Sequence, residues 1–369
     1  VVFVLPSLSH DQAADQAVPS VVVAGIILAA GKGTRMRSAL PKVLHPIMGR
    51  PMVDWVLRSL ACAGVQHSIL VLGAEHAPFE GFLRENPSLI LAIQSDQRGT
   101  ADAVASAQGA FTSVTKVPYA QSRLLRGTPV NATHVLICAG DTPALRAEEL
   151  TRFVKEQGDA DIAVLGMQPK DPKGYGRLIL KNGSLTGIIE ERDADSETKK
   201  IPTVNSGVIL ARKAVLFDLL SLVTPNNAQG EYYLTDIIRL GYEKGYRTRA
   251  HIAEEAREFS GVNDRTQLAA LEQWMLGRTR DAAMAKGVSL HMPETIYIES
   301  DVEIGEDTDL SPGVKIYGKS KLGRACRVGA GACLRDVVVG DGAVIGEGSV
   351  LTGVAVKREE IVPPLTRLV

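Results

Sequence analysis

The sequence holds little that would serve a nucleic acid, a membrane or a redox couple. Aromatic residues make up only 5% of it, too few for the platforms on which single-stranded bases stack. Basic and acidic residues nearly balance, for a formal net charge of −1, so no global basic field exists to hold nucleic acid or an anionic bilayer. No apolar run reaches the length of a membrane helix. The four cysteines, Cys62, Cys138, Cys326 and Cys333, include no C-x-x-C pair. That points away from zinc and dithiol chemistry and fits a reduced, cytoplasmic setting. Two familiar phosphate loops are missing as well. A Walker loop needs four residues between its first glycine and the Gly-Lys pair. Here Gly25 and Gly31 have five between them, and Gly33 follows Lys32. The dinucleotide fingerprint fails because Met36 stands where its third glycine belongs.

What is present is a different glycine turn. An apolar run over 21–27 reads as a buried strand. It leads into Leu28-Ala29-Ala30-Gly31-Lys32-Gly33-Thr34-Arg35-Met36, and Pro41-Lys42 follows shortly. Gly31 and Gly33 permit a turn that side chains would block. Lys32, Arg35 and Lys42 ring that turn with positive charge, which suits a polyphosphate. Apolar and amphipathic stretches then alternate. Residues 68–73, 89–94 and His134–Ala139 read as strands, and 51–63 and 100–111 as helices. The alternation predicts an α/β unit with a mostly parallel sheet, helices on both faces and ligands at the carboxyl ends of the strands. Residues 1–20 read as a disordered leader and 113–132 as a surface insertion rich in Ser, Thr, Pro and Gln. A helix over 268–286 is placed to bridge to the C-terminal segment.

From about residue 296 the period changes to six. Ile298, Ile304, Leu310, Ile316, Leu322, Val328 and Leu334 keep the step, a slip of five intervenes, and Val339, Ile345 and Leu351 resume it. Glycine directly follows five of these residues. Such spacing predicts a hexapeptide β-helix of about three coils, with the apolar residue pointing inward. Pro363 and Pro364 are expected to close it.

Two further segments carry chemistry. Gln94-Ser95-Asp96-Gln97-Arg98-Gly99-Thr100-Ala101 joins a strand to a helix. Thr100 could cap that helix, or Gln94 could offer an amide to a pyrimidine edge with the Gly99 backbone close by. The strand His134–Ala139 delivers Asp141 into a turn before Pro143, where a carboxylate suits Mg²⁺.

Taken together, LAAGKGTRM, the LPKVLH run of 40–45, the 94–101 segment and the 229–236 run QGEYYLTD resemble the sugar-nucleotide pyrophosphorylases. Within these they are most similar to the N-acetylglucosamine-1-phosphate uridylyltransferase branch. The resemblance implies a Rossmann-like nucleotidyltransferase domain over 21–285 and a short left-handed β-helix over 286–369. It implies UTP and a sugar 1-phosphate as substrates, Mg²⁺ as cofactor and no nucleic-acid or membrane partner. Arg35 and Lys42 would be catalytic. Leu28, Ala29, Ala30, Gly31, Lys32, Gln94, Gln97, Gly99, Thr100, Gly176, Glu190, Asn205 and Asn263 would line the substrates, and Asp141 with Asn263 would hold the metal. Ala139 departs from the branch, which usually has an aromatic residue two positions before this aspartate. The β-helix is expected to assemble subunits as a homotrimer. With no histidine after Ile298, acetyl transfer, which the longer β-helix of bifunctional relatives performs, is expected to be absent. Uracil and thymine share one hydrogen-bonding edge, so a UTP- or dTTP-dependent enzyme acting on glucose 1-phosphate is the alternative, with a non-catalytic sugar-nucleotide sensor behind it.

Overall fold

The computed structural model describes residues 21–31, 33–112 and 129–369. Expectations for the leader, for Lys32 and for most of 113–132 fall outside them. In chain order the strands are β1 (Val23–Leu28), the hairpin β2–β3 (Pro46–Ile47, Arg50–Pro51), β4 (His67–Gly73), β5 (Ile90–Gln94) and β6 (His134–Ala139). These are followed by β7 (Ile162–Met167), the hairpin β8–β9 (Arg177–Lys181, Ser184–Ile189), β10 (Val204–Arg212) and β11 (Thr248–Ile252). The helices are α1 (Met52–Cys62), α2 (Glu80–Glu85), α3 (Thr100–Ser106), α4 (Ala147–Gln157), α5 (Lys213–Leu220), α6 (Asp236–Glu243) and α7 (Arg265–Ala285).

The main sheet runs β11-β7-β10-β6-β1-β4-β5. Along this path it is parallel except for β10, which is antiparallel to β6 and β7, and the antiparallel β8–β9 hairpin joins the sheet through β10. Its central strands are apolar almost throughout, as strands covered on both faces must be. One face packs on Leu57 and Leu60 of α1 and Leu150 and Phe153 of α4. The other packs on Val104 of α3, Leu216 and Leu219 of α5, and Ile237 and Ile238 of α6. The apolar residues of α1 recur at three- and four-residue spacing, which is why one stripe of it is buried. This is the α/β layer expected from the alternation.

Three local expectations need correction. The helix predicted over 100–111 ends at Ser106 and continues as a 3-10 turn, Gln108–Phe111; Gly109 weakens the regular helix there. The end of the presumed surface insertion belongs to the core. Val130 and Ala132 are buried, and the Val130 amide donates to the Ala110 carbonyl at 3.0 Å. The bridging helix α7 starts at Arg265 because Asp264 caps it, its Oδ1 accepting from the Gln267 amide at 2.8 Å. Leu271, Met275 and Leu276 of α7 pack with Ile47, Met48 and Met52, and Tyr297 of the first coils joins them.

The C-terminal coils form three parallel sheets of five, five and four very short strands. Vertical register explains the period. Ile298 stacks on Ile316, Leu334, Leu351 and Leu368 in turn, and the second and third sheets repeat this with the other hexad residues. The stack exceeds the three coils expected. It begins at Ser289 and runs past the prolines to Arg367–Leu368. Pro363 and Pro364 therefore do not close it. They sit in the turn after Ile361–Val362, where no ladder amide is needed. The recurring glycines have a steric cause too. A Cβ on Gly329 would lie 2.6 Å from the Glu347 amide of the next coil, and one on Gly305 would lie 2.6 Å from the Gly323 carbonyl carbon. Coils at strand spacing leave no room for it. Gly329→Ala should therefore destabilise the stack by about 1–3 kcal/mol, the usual cost of overpacking. A thermal melt should show the loss, and an unshifted midpoint would contradict this steric account.

Candidate active site

The site is built at the carboxyl edge of the main sheet because β1 and β6 are parallel neighbours in register, Leu28 against Ala139. The loops after the two strands therefore emerge side by side. After β1 comes the glycine turn, and after β6 come Gly140 and Asp141. Leu28, Ala29 and Ala30 line the start of this turn. Gly33 is left-handed (φ 57°), and a Cβ there would come 2.5 Å from that of Lys42. The need for glycine falls on this residue. Among the described residues, its chain neighbours aside, no atom lies within 4 Å of where a Gly31 Cβ would be, so the expected block by side chains is not found there.

The Lys42 ammonium bonds the Asp141 carboxylate and donates to Asn263 Oδ1 at 3.3 Å. Arg35 Nη2 donates to the same amide oxygen at 2.8 Å. Four of the expected residues thus meet at one point, from segments more than two hundred residues apart. The Asn263 loop is pinned there by backbone and first-turn contacts. The Val262 amide donates to the Asp141 carbonyl at 2.9 Å, and Gln267 Oε1 accepts from the Asn263 amide at 2.7 Å. Arg265 Nε reaches the Met36 carbonyl at 3.2 Å and so ties α7 to the Arg35 turn. Gln267 and Arg265 were not anticipated; the capping pattern at Asp264 was the available signal. Asp141 and Asn263 offer two oxygens that converge on one ammonium, so they can face a single cation. Among the described residues no group of three His, Cys, Asp or Glu side chains could hold a metal. A hard cation here would complete its shell with water and ligand phosphate.

The 94–101 segment lies beside this centre. Gln97 Nε2 donates to the Ala30 carbonyl at 2.5 Å and so braces the glycine turn. Gln94 is buried, and its Nε2 donates to the Gly99 carbonyl and to Asp102 Oδ2, each at 2.9 Å. Thr100 does not cap α3, since no side chain caps that helix. Its hydroxyl instead accepts from the Leu234 amide at 2.9 Å. Gly99 is needed for close approach, because a Cβ there would sit 2.5 Å from the Tyr232 carbonyl oxygen. Backbone bonds from Tyr232 to Arg98 and from Ala101 to Tyr232 (2.8 and 2.9 Å) lock the 229–236 run onto this segment. Tyr233 packs inward, and Asp236 opens α6.

Gly176, Glu190 and Asn205 also come together. The Asn205 amide donates to the Gly176 carbonyl at 2.8 Å, and a Cβ on Gly176 would lie 3.1 Å from Glu190 Oε2. Asn205 sits at a bulge in β10, a common device for re-aiming a side chain. Its Oδ1 accepts from the Gly207 amide at 2.9 Å. Thr235 donates to Glu190 Oε1 at 2.9 Å, which links this cluster to the 229–236 run. Burial first, then the charges of Asp141 and Asp171, push the Tyr175 phenol above its usual range.

A strand-edge glycine turn with clustered cations beside a carboxylate-carrying loop defines a nucleotide-handling α/β protein. Residues 25–223 match the MobA-like NTP transferase domain family. The protein called bifunctional protein GlmU of Syntrophotalea carbinolica is 39% identical over 333 residues, covering 90% of this chain and 68% of that one. The GlmU protein of Desulfotalea psychrophila is 36% identical over 346 residues, covering 93% and 96% respectively. A Bacillus anthracis crystal structure assigned as a putative glucose-1-phosphate thymidylyltransferase aligns with TM-score 0.53 at 19% identity, covering 68% of this chain and 94% of that one; at this identity the likeness is one of fold. The chain belongs to the GlmU-like family of nucleotidyltransferases. Among the described residues no helix is long and apolar enough to cross a membrane.

Glu190 yields a stability test. Burial pushes its carboxyl above the ordinary glutamate range, the Thr235 hydrogen bond partly offsets this, and Asp193 and Asp236 push it further up. Its contribution to stability is therefore full below the ordinary range and is lost as pH rises through its raised value. Glu190→Gln keeps an acceptor for Thr235 and removes the buried charge. The variant should melt higher than the parent at pH 8 and lose that advantage towards pH 4. An advantage that grows on acidification would reverse the assignment.

Proposed function

We propose that the protein transfers a uridylyl group from UTP to N-acetylglucosamine 1-phosphate, giving UDP-N-acetylglucosamine and pyrophosphate. The observation that carries this reading is the meeting of Lys42, Arg35, Asp141 and Asn263 at the end of β1 and β6. An oxygen of the sugar phosphate attacks the α-phosphorus in line, and the bond to the bridging oxygen of pyrophosphate breaks. The attacking phosphate is already ionised, so no general base is required. Rate enhancement then comes from positioning and from cations set where charge develops. Lys42 spans the attacking and α-phosphates, and Arg35 faces the leaving pyrophosphate. Asp141 and Asn263 would hold Mg²⁺, and the ion would neutralise phosphate charge there. Gln94 and the Gly99 backbone meet the base. Gly176, Glu190 and Asn205 meet the sugar. Among the described residues the clustered oxygens and cations exceed what a sugar-nucleotide sensor needs, which favours turnover.

We infer further that the coil stack assembles subunits as a homotrimer in the cytoplasm. The coils after Ile298 carry no histidine, and we assign them no acetyl transfer. Light scattering that returns a monomer mass would refute the trimer.

Pyrophosphate release with Mg²⁺, a panel of nucleoside triphosphates and several sugar 1-phosphates tests the reaction, and silence across the panel would remove it. A preference for dTTP with glucose 1-phosphate would move the protein to the neighbouring specificity. Lys42→Ala should lower turnover roughly 10²–10³-fold, the scale of losing one preorganised donor; full activity would exclude Lys42 from the chemistry. Asp141→Ala should abolish turnover at ordinary Mg²⁺ levels, and an unchanged Mg²⁺ titration would contradict its role.

A further inference from the structure

The Gln94 amide is not free to choose which end it shows. Its Nε2 donates to two groups, the Gly99 carbonyl and Asp102 Oδ2, both at 2.9 Å. Asp102 is itself fixed by Arg98, whose Nη2 donates to Oδ1 at 2.7 Å and whose backbone amide approaches Oδ2 at 3.4 Å. Arg98 in turn lies 5.4 Å from the centroid of the Tyr232 ring. Burial raises the Asp102 carboxyl, but the hydrogen bonds from Gln94 and Arg98 outweigh it and hold the group below the usual carboxylate range. At neutral pH Asp102 is a carboxylate, which accepts and never donates. A carbonyl likewise only accepts. Turning the amide over would bring its oxygen against both, losing two bonds and adding repulsion. Gln94 Oε1 is therefore the end left for a ligand. Among the described residues it takes no hydrogen bond, and it is not one of the sealed, unpartnered polar atoms.

We propose that Asp102 is a positioning residue that sets base selectivity: it commits Gln94 to present an acceptor, so the site takes a pyrimidine with a ring N3–H, uracil or thymine, and rejects cytosine. The inference rests on the reading of 94–101 as the base site. Uracil and thymine carry a hydrogen on N3 and carbonyls on either side. Gln94 Oε1 can accept that hydrogen, and the Gly99 amide, with no partner among the described residues, can donate to a neighbouring carbonyl. Cytosine held in the same place by its ribose and phosphates turns a lone pair on N3 towards Oε1. Rejection then comes from opposed acceptors as much as from a lost bond. An asparagine at 102 could donate to a turned-over Gln94, leaving only the Gly99 carbonyl against it, and would so weaken the rejection of cytosine. The sequence signal was the Arg98–Asp102 spacing of four on a helix start, which alone reads as a surface pair.

The test is the ratio of kcat/KM for UTP over CTP, with dTTP alongside, in the full chain with Mg²⁺ and the sugar 1-phosphate. The wild type should favour UTP over CTP by at least about 10²-fold, within the range for a site built around a hydrogen bond. Asp102→Asn should narrow that ratio about tenfold, and Asp102→Glu, which keeps the acceptor, should retain more of it. A merely structural role would lower both activities and leave the ratio alone. A discriminating wild type with an unchanged ratio in Asp102→Asn overturns the inference and leaves the transferase reading standing. A wild type inactive with every triphosphate and sugar phosphate overturns that reading and the inference with it. Should Asp102→Asn fail to fold, Gln94→Leu decides: the ratio must collapse, and a preserved ratio overturns the proposal.

Discussion

The contact of the Lys42 ammonium with the Asp141 carboxylate, shared with the Asn263 amide oxygen, is the constraint on which the rest depends. It exists because β1 and β6 lie next to each other and run the same way. Side-by-side parallel strands place their loops at one edge, and there a cationic turn meets an acidic one. Both partners are mostly shielded, with 15% and 17% of their side-chain surfaces exposed. Neither is sealed in, so an incoming anion can compete for the ammonium without unfolding anything. An anion taken up by Lys42 together with a cation taken up by Asp141 would replace both partners, so neither shielded charge would be left unpaired.

The same centre is tied to the distant coils through one helix. At its start, α7 holds Asn263 through Gln267 and the Arg35 turn through Arg265. Near its end, Arg280 is buried and donates to the Ile296 carbonyl at 2.8 Å. Between them, α7 packs on the β2–β3 hairpin, which lies just after Lys42 in the chain. Arg50 of that hairpin also donates to Ser300 Oγ at 2.7 Å and pairs with Asp301. The coil stack therefore buttresses both loops that meet at Asp141. A rigid scaffold under mobile phosphate ligands is what positioning-based catalysis requires.

Much of this was legible in the residues. Periodicity and glycine placement mark the parallel sheet and the six-residue coils, because each strand and coil repeats a local rule. Motif resemblance named Lys42, Asp141, Arg35 and Asn263 separately, and the fold brings their side chains together. What escaped were partners that only long-range packing chooses. Thr100 looked like a cap, yet its hydroxyl serves Leu234. Gln97 was expected among the substrate groups, and the bond of its amide to the Ala30 carbonyl carried no sequence signal. Pro363 and Pro364 looked like a terminus because proline breaks ladders, but the turn between coils has no ladder to break. Val130 and Ala132 looked like loop because their neighbours are polar, and the core on the α3 face of the sheet takes them in. Asp102 offered only its spacing from Arg98, which reads as a surface pair, and its bond to the Gln94 amide had no sequence signal.

The central claim is that the Lys42 turn and the Asp141–Asn263 oxygens grip one triphosphate from two sides. The most direct measurement is a crystal structure grown with UTP and Mn²⁺, with the metal located by its anomalous signal. The account predicts a metal peak on Asp141 and Asn263 and the Lys42 ammonium moved from the carboxylate onto a phosphate oxygen. Lys42 still bonded to Asp141, with the triphosphate and metal bound elsewhere on the molecule, would contradict it.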